Sequence, residues 1–473
     1  MIFRAKVLAA AVSAILLSAC GGMDHQVTKT EQAVSSDASA TETKEEASED
    51  THDHDEAVKD VAGRLLVTSS DNNVVNIYST ADQSLIESVG LTSKPQYAYG
   101  SENHRYAILV QRNDGMVEFV DGGLYREAHG DHYHNHEDAP SSVSFQLTST
   151  KPTHVTVNEG GIAVFSDGDE DTQQNASVAV FGEAQIGGLS DGVVELEYNT
   201  HMHGAAQARG EYLVSSLRDS DGASNMPSQI ALYHAHDDHF DQEQVFDVTC
   251  PVLHGSAQNE HTIVFGCDDG VAVITQQGGS FSATKVANPE SFTEGMRIGS
   301  LKGHHHSEQF IASTRNQLFI LHPEEGELEA LEWQSTNGLS LSYYGFSHDG
   351  EHIIALDSAG KLSIFAGHTH EDDHESEQAN ENEGEHEHEV HWEVTHEIAI
   401  KDAETTMPEG HSFSLAVSHS EDAVFVGDPI EKQIKKYDLE SGELVQTIEL
   451  DVVPDRLVWL GIASSEEAHD HDH

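Results

Sequence analysis

The sequence predicts an all-β chain, a β-propeller of eight four-stranded blades, and three observations predict it. Short runs of β-forming residues recur between Asn, Asp and Gly turns, as in Arg64-Leu65-Leu66-Val67, Asp71-Asn72-Asn73 and Val74-Val75-Asn76-Ile77. No stretch of the body sustains a helical period for three turns. A similar short phrase opens unit after unit, which marks a repeat architecture of about four strands per unit.

Taken in order, the chain begins with a basic start at Arg4 and Lys6 and an apolar run from Val7 to Leu17. That run is too short to cross a bilayer comfortably. Leu17-Ser18-Ala19-Cys20 ends it, with Gly21 behind. The string resembles a bacterial lipobox, so residues 1–20 are expected to be a lipoprotein signal ending at a lipidated Cys20. Residues 21–60 are rich in Glu, Asp, Ser, Thr and Ala and poor in apolar residues, the composition of a disordered tether. Its reach would be roughly 35 Å. His52-Asp53-His54 lies within it.

The body is expected over residues 61–463. Its opening phrases are Lys94-Pro95-Gln96-Tyr97, Lys151-Pro152-Thr153-His154, Thr200-His201-Met202-His203-Gly204, Pro251-Val252-Leu253-His254-Gly255, Lys302-Gly303-His304-His305-His306, Asn337-Gly338-Leu339-Ser340, Glu409-Gly410-His411-Ser412 and Val453-Pro454-Asp455-Arg456. Eight openings follow if the last strand, Leu457 to Ile462, completes a blade with the strands from Arg64 to Val89. A faint boundary near Leu301 leaves seven blades as the alternative. Two β-sandwiches are the competing architecture, and a phrase repeated along the whole body argues against them. An acidic insert at about 367–390 is expected to be disordered, and residues 464–473 form a His/Asp tail.

Charge narrows the function. Asp and Glu number 83 against 23 Lys and Arg, a net charge of −60. Such a surface repels phosphate backbones and anionic lipid and attracts cations, so no nucleic-acid partner is expected. The chain holds three cysteines and no CxxC pair, which removes cysteine-built zinc fingers and thioredoxin-type sites. Export to an oxidising compartment would make Cys250–Cys267 a disulfide, stabilising by about 3 kcal/mol.

The 34 histidines fall into two populations. One occupies acidic tracts: His129, His132, His134 and His136; His234 to His239; His368 to His374; His386 to His396; and the tail. Flexible His/Asp/Glu tracts bind borderline metals loosely. The other population lies in the opening phrases: His154, His201, His203, His254, His304 to His306 and His411. Equivalent ends of innermost propeller strands converge on one mouth of the central channel. Three or four of these imidazoles, with a carboxylate such as Asp167, would thereby come within reach of one tetrahedral ion. Gly188-Leu189-Ser190-Asp191-Gly192 matches a nucleophile-elbow string but precedes a strand, outside the setting that chemistry needs.

A propeller with histidine-bearing blade openings and His/Asp tracts resembles the AztD-type periplasmic zinc metallochaperones. The stretches that carry the resemblance are Arg126 to His134, Lys151 to His154, Thr200 to Gly204 and Pro251 to Gly255, within a span from Arg64 to Ala463. The resemblance implies a Zn2+-holding propeller that hands its ion to the solute-binding protein of a zinc ABC transporter. The lipobox, the acidic insert and the tail are departures that suggest a membrane-tethered variant. The expectation is therefore a non-enzyme: a monomeric periplasmic zinc carrier or buffer, held to a membrane by lipid only, with no catalytic residues. A propeller lyase or hydrolase using the same metal is the alternative, and an adhesion or scaffold propeller a third reading. Nothing in the opening phrases except Glu409 supplies the base an enzyme would need.

Overall fold

Strands packed between two neighbours lose their polar/apolar alternation, because both faces are buried. Arg64–Ser69 and Thr262–Cys267 are buried at every position, whereas the outer strand Ser141–Thr148 alternates. The computed structural model describes residues 62–464 apart from 130–131, 190, 223, 370–389 and 403. Cys20, the expected signal and tether, the tail, and His370, His374, His386 and His388 lie outside these residues, as does the His132 side chain.

The described residues form a β-propeller of four-stranded antiparallel units, with a single four-residue helix at Glu183–Ile186 and two 3-10 turns. Eight such units follow one another. Their first, innermost strands are Pro454–Leu460, Tyr97–Gly100, Pro152–Asn158, Ala206–Arg209, Ser256–Gln258, Ser300–Lys302, Leu341–Phe346 and Ser414–Val417. The third and fourth units are joined into one sheet by a parallel bridge between Glu195 and His239. Unit one takes its inner strand from the far end of the chain, with Arg64 opposite Leu460, Leu65 opposite Trp459 and Leu66 opposite Val458.

Eight apolar clusters each draw on two neighbouring units. In one, Phe165 and Val178 of unit three meet Leu213 and Tyr233 of unit four. In the cluster that closes the ring, Leu65 and Trp459 meet Phe425 and Ile448. Side chains also stitch the first strands of units three to five. Thr156 Oγ1 donates to the Ala206 carbonyl at 2.8 Å, Gln207 Nε2 to Ser256 Oγ at 2.9 Å, and Gln258 Nε2 to the Ala208 carbonyl at 3.0 Å.

Two expectations change. His129, His134 and His136 do not lie in a flexible tract: Leu124–His129 and His132–Glu137 pair as a hairpin between the third and fourth strands of unit two. His234, His236 and His239 likewise lie on the paired strands Gln229–His236 and His239–Val245. Both tracts hold enough β-formers and cross-strand partners, such as Tyr125 opposite His136, to pair as strands.

Cys250 and Cys267 form a disulfide with Cα atoms 4.9 Å apart, both fully buried. It ties the turn before the first strand of unit five to the end of the second. A double Cys250→Ala/Cys267→Ala variant should lose about 3 kcal/mol of stability, read from urea melts of metal-free protein. An unchanged midpoint would show that the cross-link adds nothing to the folded ring.

Candidate metal centre

His154, His203 and His254 stand at the starts of the first strands of units three, four and five, and the ring brings them together. His154 Nε2 lies 3.3 Å from His203 Nε2, and His203 Nε2 lies 3.1 Å from His254 Nε2. Two nitrogens each about 2.0–2.1 Å from one tetrahedral zinc lie about 3.3–3.4 Å apart, so the spacing already matches a shared ion.

The other ring nitrogens decide what these atoms present. His254 Nδ1 is 2.7 Å from the Gly299 carbonyl, which can only accept, so that nitrogen carries the proton and Nε2 presents a bare lone pair. His203 Nδ1 is 3.0 Å from Asp167 Oδ2, which fixes the same tautomer in the neutral ring. With both rings in these neutral tautomers, two lone pairs face each other at 3.1 Å. They repel in the absence of a shared cation and bind in its presence. This is the outer-shell arrangement of a metal-ligating histidine. Gly255, at φ +77°, keeps the chain clear of the orienting carbonyl: a Cβ there would sit 2.8 Å from the Gly299 oxygen.

Asp167 therefore stands behind His203, orienting it. Its Oδ2 also accepts from Arg112 Nη2 at 2.9 Å, and Arg112 Nε donates to Thr153. Burial pushes the Asp167 carboxyl up, but the hydrogen bonds from His203, Arg112 and Thr153 outweigh it and hold the group below its ordinary value. Burial, reinforced by His203 and His254, pushes His154 down to about 3. Burial and His203 also hold His254 low, against the raising effect of the Gly299 hydrogen bond. The His154 imidazole is therefore neutral, the metal-binding form, across the ordinary pH range, and His254 is shifted in the same direction.

The remaining candidates go elsewhere. His201 is separated from His203 by the core residue Met202 and faces Glu170 at 3.7 Å. His411 opens unit eight, three units away around the ring, and its Nδ1 lies 3.2 Å from Ser70 Oγ. The His304–His306 phrase does not open a unit: it follows the first strand Ser300–Lys302, which places it at the opposite mouth of the channel. There His304 Nε2 donates to the His348 carbonyl at 3.0 Å, its Nδ1 accepts from His306 N–H, and His305 pairs with Glu159 at 3.0 Å. The Gly-His string here lies just past the strand, whereas Gly410-His411 lies before one.

That opposite mouth holds residues the sequence reading missed. A cavity of about 1110 Å³ is lined by His104, His348, His419, Glu102 and Trp459, and by Tyr125, Arg126 and Tyr133 of the histidine hairpin. His104 stacks on His419 at 3.6 Å. Burial, together with Glu183 and Glu159, pushes the Glu102 carboxyl up to about 7. The available signal was a Ser-His pair following two first strands, at Ser347-His348 and Ser418-His419.

No family model matches the chain. Among curated proteins it is similar to the zinc chaperone AztD of Citrobacter koseri, 22% identical over 421 residues, covering 87% of this chain and 90% of that protein. Two solved structures of Citrobacter koseri AztD, one of them apo, superimpose with a TM-score of 0.69 at 20–21% identity, covering 85% of this chain and 99% of theirs. The dihydro-heme d1 dehydrogenase NirN shares the fold more distantly, with a TM-score of 0.51 and 11% identity, covering 84% of this chain and 75% of its own.

Because the His154 imidazole stays neutral in the folded chain and takes a proton in the unfolded one below about 6.5, the unfolded state binds more protons there. Its contribution is full above that pH and is lost as pH falls toward 3. Between pH 7.5 and 5 wild type should lose about 2 kcal/mol more than His154→Leu in urea melts with chelator present. Parallel pH profiles would refute the burial of this imidazole.

Proposed function

We propose that this chain carries zinc, holding Zn2+ between His154, His203 and His254 and delivering it to a partner. The observation that supports this best is the 3.1 Å approach of two Nε2 atoms whose Nδ1 partners leave both as lone-pair donors. Similarity to a zinc chaperone over most of the chain supports the same reading.

The geometry suits a carrier. Three imidazoles supply three corners of a tetrahedron, and the fourth is left to water or to a ligand of the recipient. His203 is a quarter exposed, so solvent and a docking chain reach the group. Transfer then goes by exchange: an incoming donor takes the fourth corner, and an imidazole lets go as the next donor arrives. The strongly acidic surface gathers cations toward the protein. Asp167, the carboxylate beside the group, is committed to His203 and Arg112 rather than poised as a general base, which favours carrying over hydrolysis or elimination.

The recipient we infer is the solute-binding protein of a zinc ABC transporter. The location we infer is the periplasm, with the body tethered by lipid at Cys20. The buried disulfide fits an oxidising compartment.

Zinc titration against a competing chelator tests the assignment. His203→Ala should weaken the tight equivalent by at least about 100-fold, and Asp167→Asn by about 10–100-fold through loss of ring orientation. Tight binding unchanged in His203→Ala would overturn the site. Mixing zinc-loaded chain with a zinc-free solute-binding protein, with metal followed on each after separation, tests delivery; zinc that stays put would leave storage as the role.

A further inference from the structure

We propose that a two-arginine cleft beside the triad receives acidic side chains of the protein that takes the metal, and so seats that protein over His203. This rests on the carrier reading, which supplies the partner; the cleft shares no ligand with the triad.

The cleft, of about 570 Å³, lies on the triad's side of the ring, between two pieces of chain that meet at unit six. One is the segment leading into the first strand, Ser300–Lys302, and the other is the turn after the second, Phe310–Ser313. Arg297 comes from the segment and Arg315 from the turn, with Thr293, Glu294 and Asn316 in the polar lining. The same segment supports the triad. Arg297 Nη1 donates at 2.7 Å to the carbonyl of Val252, two residues before His254. Gly299, on the cleft wall, orients the His254 ring through its own carbonyl. A group held by the two guanidiniums is therefore beside the metal ligands rather than across the ring.

Charge identifies the occupant. The chain carries 83 acidic side chains to 23 basic ones, so carboxylates are not scarce. Yet among the described residues neither Arg297 nor Arg315 pairs with one, and Glu294 in the same cleft pairs with neither. Arg315 is exposed, and its guanidinium makes no hydrogen bond among the described residues. Arg297 uses a single N–H on the Val252 carbonyl. Both keep free the planar fork that grips a carboxylate through two parallel hydrogen bonds.

A recipient of a cation presents anionic donors around its own site, and a body of net charge −60 repels such a rim. Two fixed guanidiniums offset that repulsion where contact is needed and set the orientation of approach. An anionic membrane is the poorer fit, because it would bring a whole negative plane against the acidic body. The chain's own acid-rich stretch, 370–389, joins the ring at the opposite rim, between Lys361–Thr369 and Val390–Ala399, which favours a carboxylate from outside the chain.

Zinc transfer from the loaded full chain to a zinc-free solute-binding protein, followed by stopped flow at rising recipient concentration, tests the cleft. Arg315→Glu should lower the second-order rate constant by about tenfold or more. Its zinc affinity, read by chelator competition, should stay within about twofold of wild type, and Arg315→Lys should keep most of the rate. In 1 M sodium chloride, where charges are screened beyond about 3 Å, wild type and Arg315→Glu should converge. Equal rates at low salt overturn the proposal and leave the carrier reading standing; phosphatidylglycerol vesicles bound by wild type but not by Arg315→Glu would then assign the arginines to a membrane. No transfer from wild type refutes the recipient named for the carrier, and this proposal with it.

Discussion

Everything in the molecule hangs on one antiparallel pairing, Arg64 to Val67 against Leu457 to Leu460, between strands nearly four hundred residues apart in sequence. The local hairpins of each unit form through short turns, but a row of such units exposes an apolar face at each end. Pairing the two ends of the body converts the row into a ring, in which every unit has a neighbour on both sides and each interface holds its own apolar cluster. The loop-closure entropy of that pairing grows only slowly with length, while the burial it completes is large.

The ring in turn makes chemistry out of residues that have none locally. His154, His203 and His254 are spaced about fifty residues apart, and each alone is an imidazole at the start of a strand. Side-chain bonds from Thr156, Gln207 and Gln258 to the adjoining unit fix the separation of those strands, and the separation fixes the nitrogens. The orienting groups come from the same architecture: Gly299 belongs to the chain leading into unit six, and Asp167 to the turn after the second strand of unit three. A small rotation between units four and five would part the two facing nitrogens, so on the proposed carrier reading metal affinity would depend on inter-unit packing as much as on the imidazoles themselves.

Much of this was legible in the sequence. The β-forming runs, the turns and the repeated phrase pointed to a propeller, and the phrases that open units three, four and five held the three imidazoles that meet. What was not legible has physical reasons. A backbone carbonyl such as that of Gly299 leaves no mark in the residue string. Asp167 was recognised as a nearby carboxylate, but its place behind the ring depends on Arg112, which lies 55 residues earlier. The His304 phrase resembles an opening because Gly-His carries no mark of strand register, and one short strand moves a residue from one mouth to the other. The hairpin histidines read as a loop because acidic composition masked a pairing that puts His129 opposite His132 and Glu127 opposite His134.

The placement of that hairpin has a consequence for traffic. It lines the cavity at the rim remote from His203, so under the proposed function a recipient seated over the triad would leave the imidazole-rich side uncovered. Filling and emptying would then draw on separate doorways instead of competing for a single one.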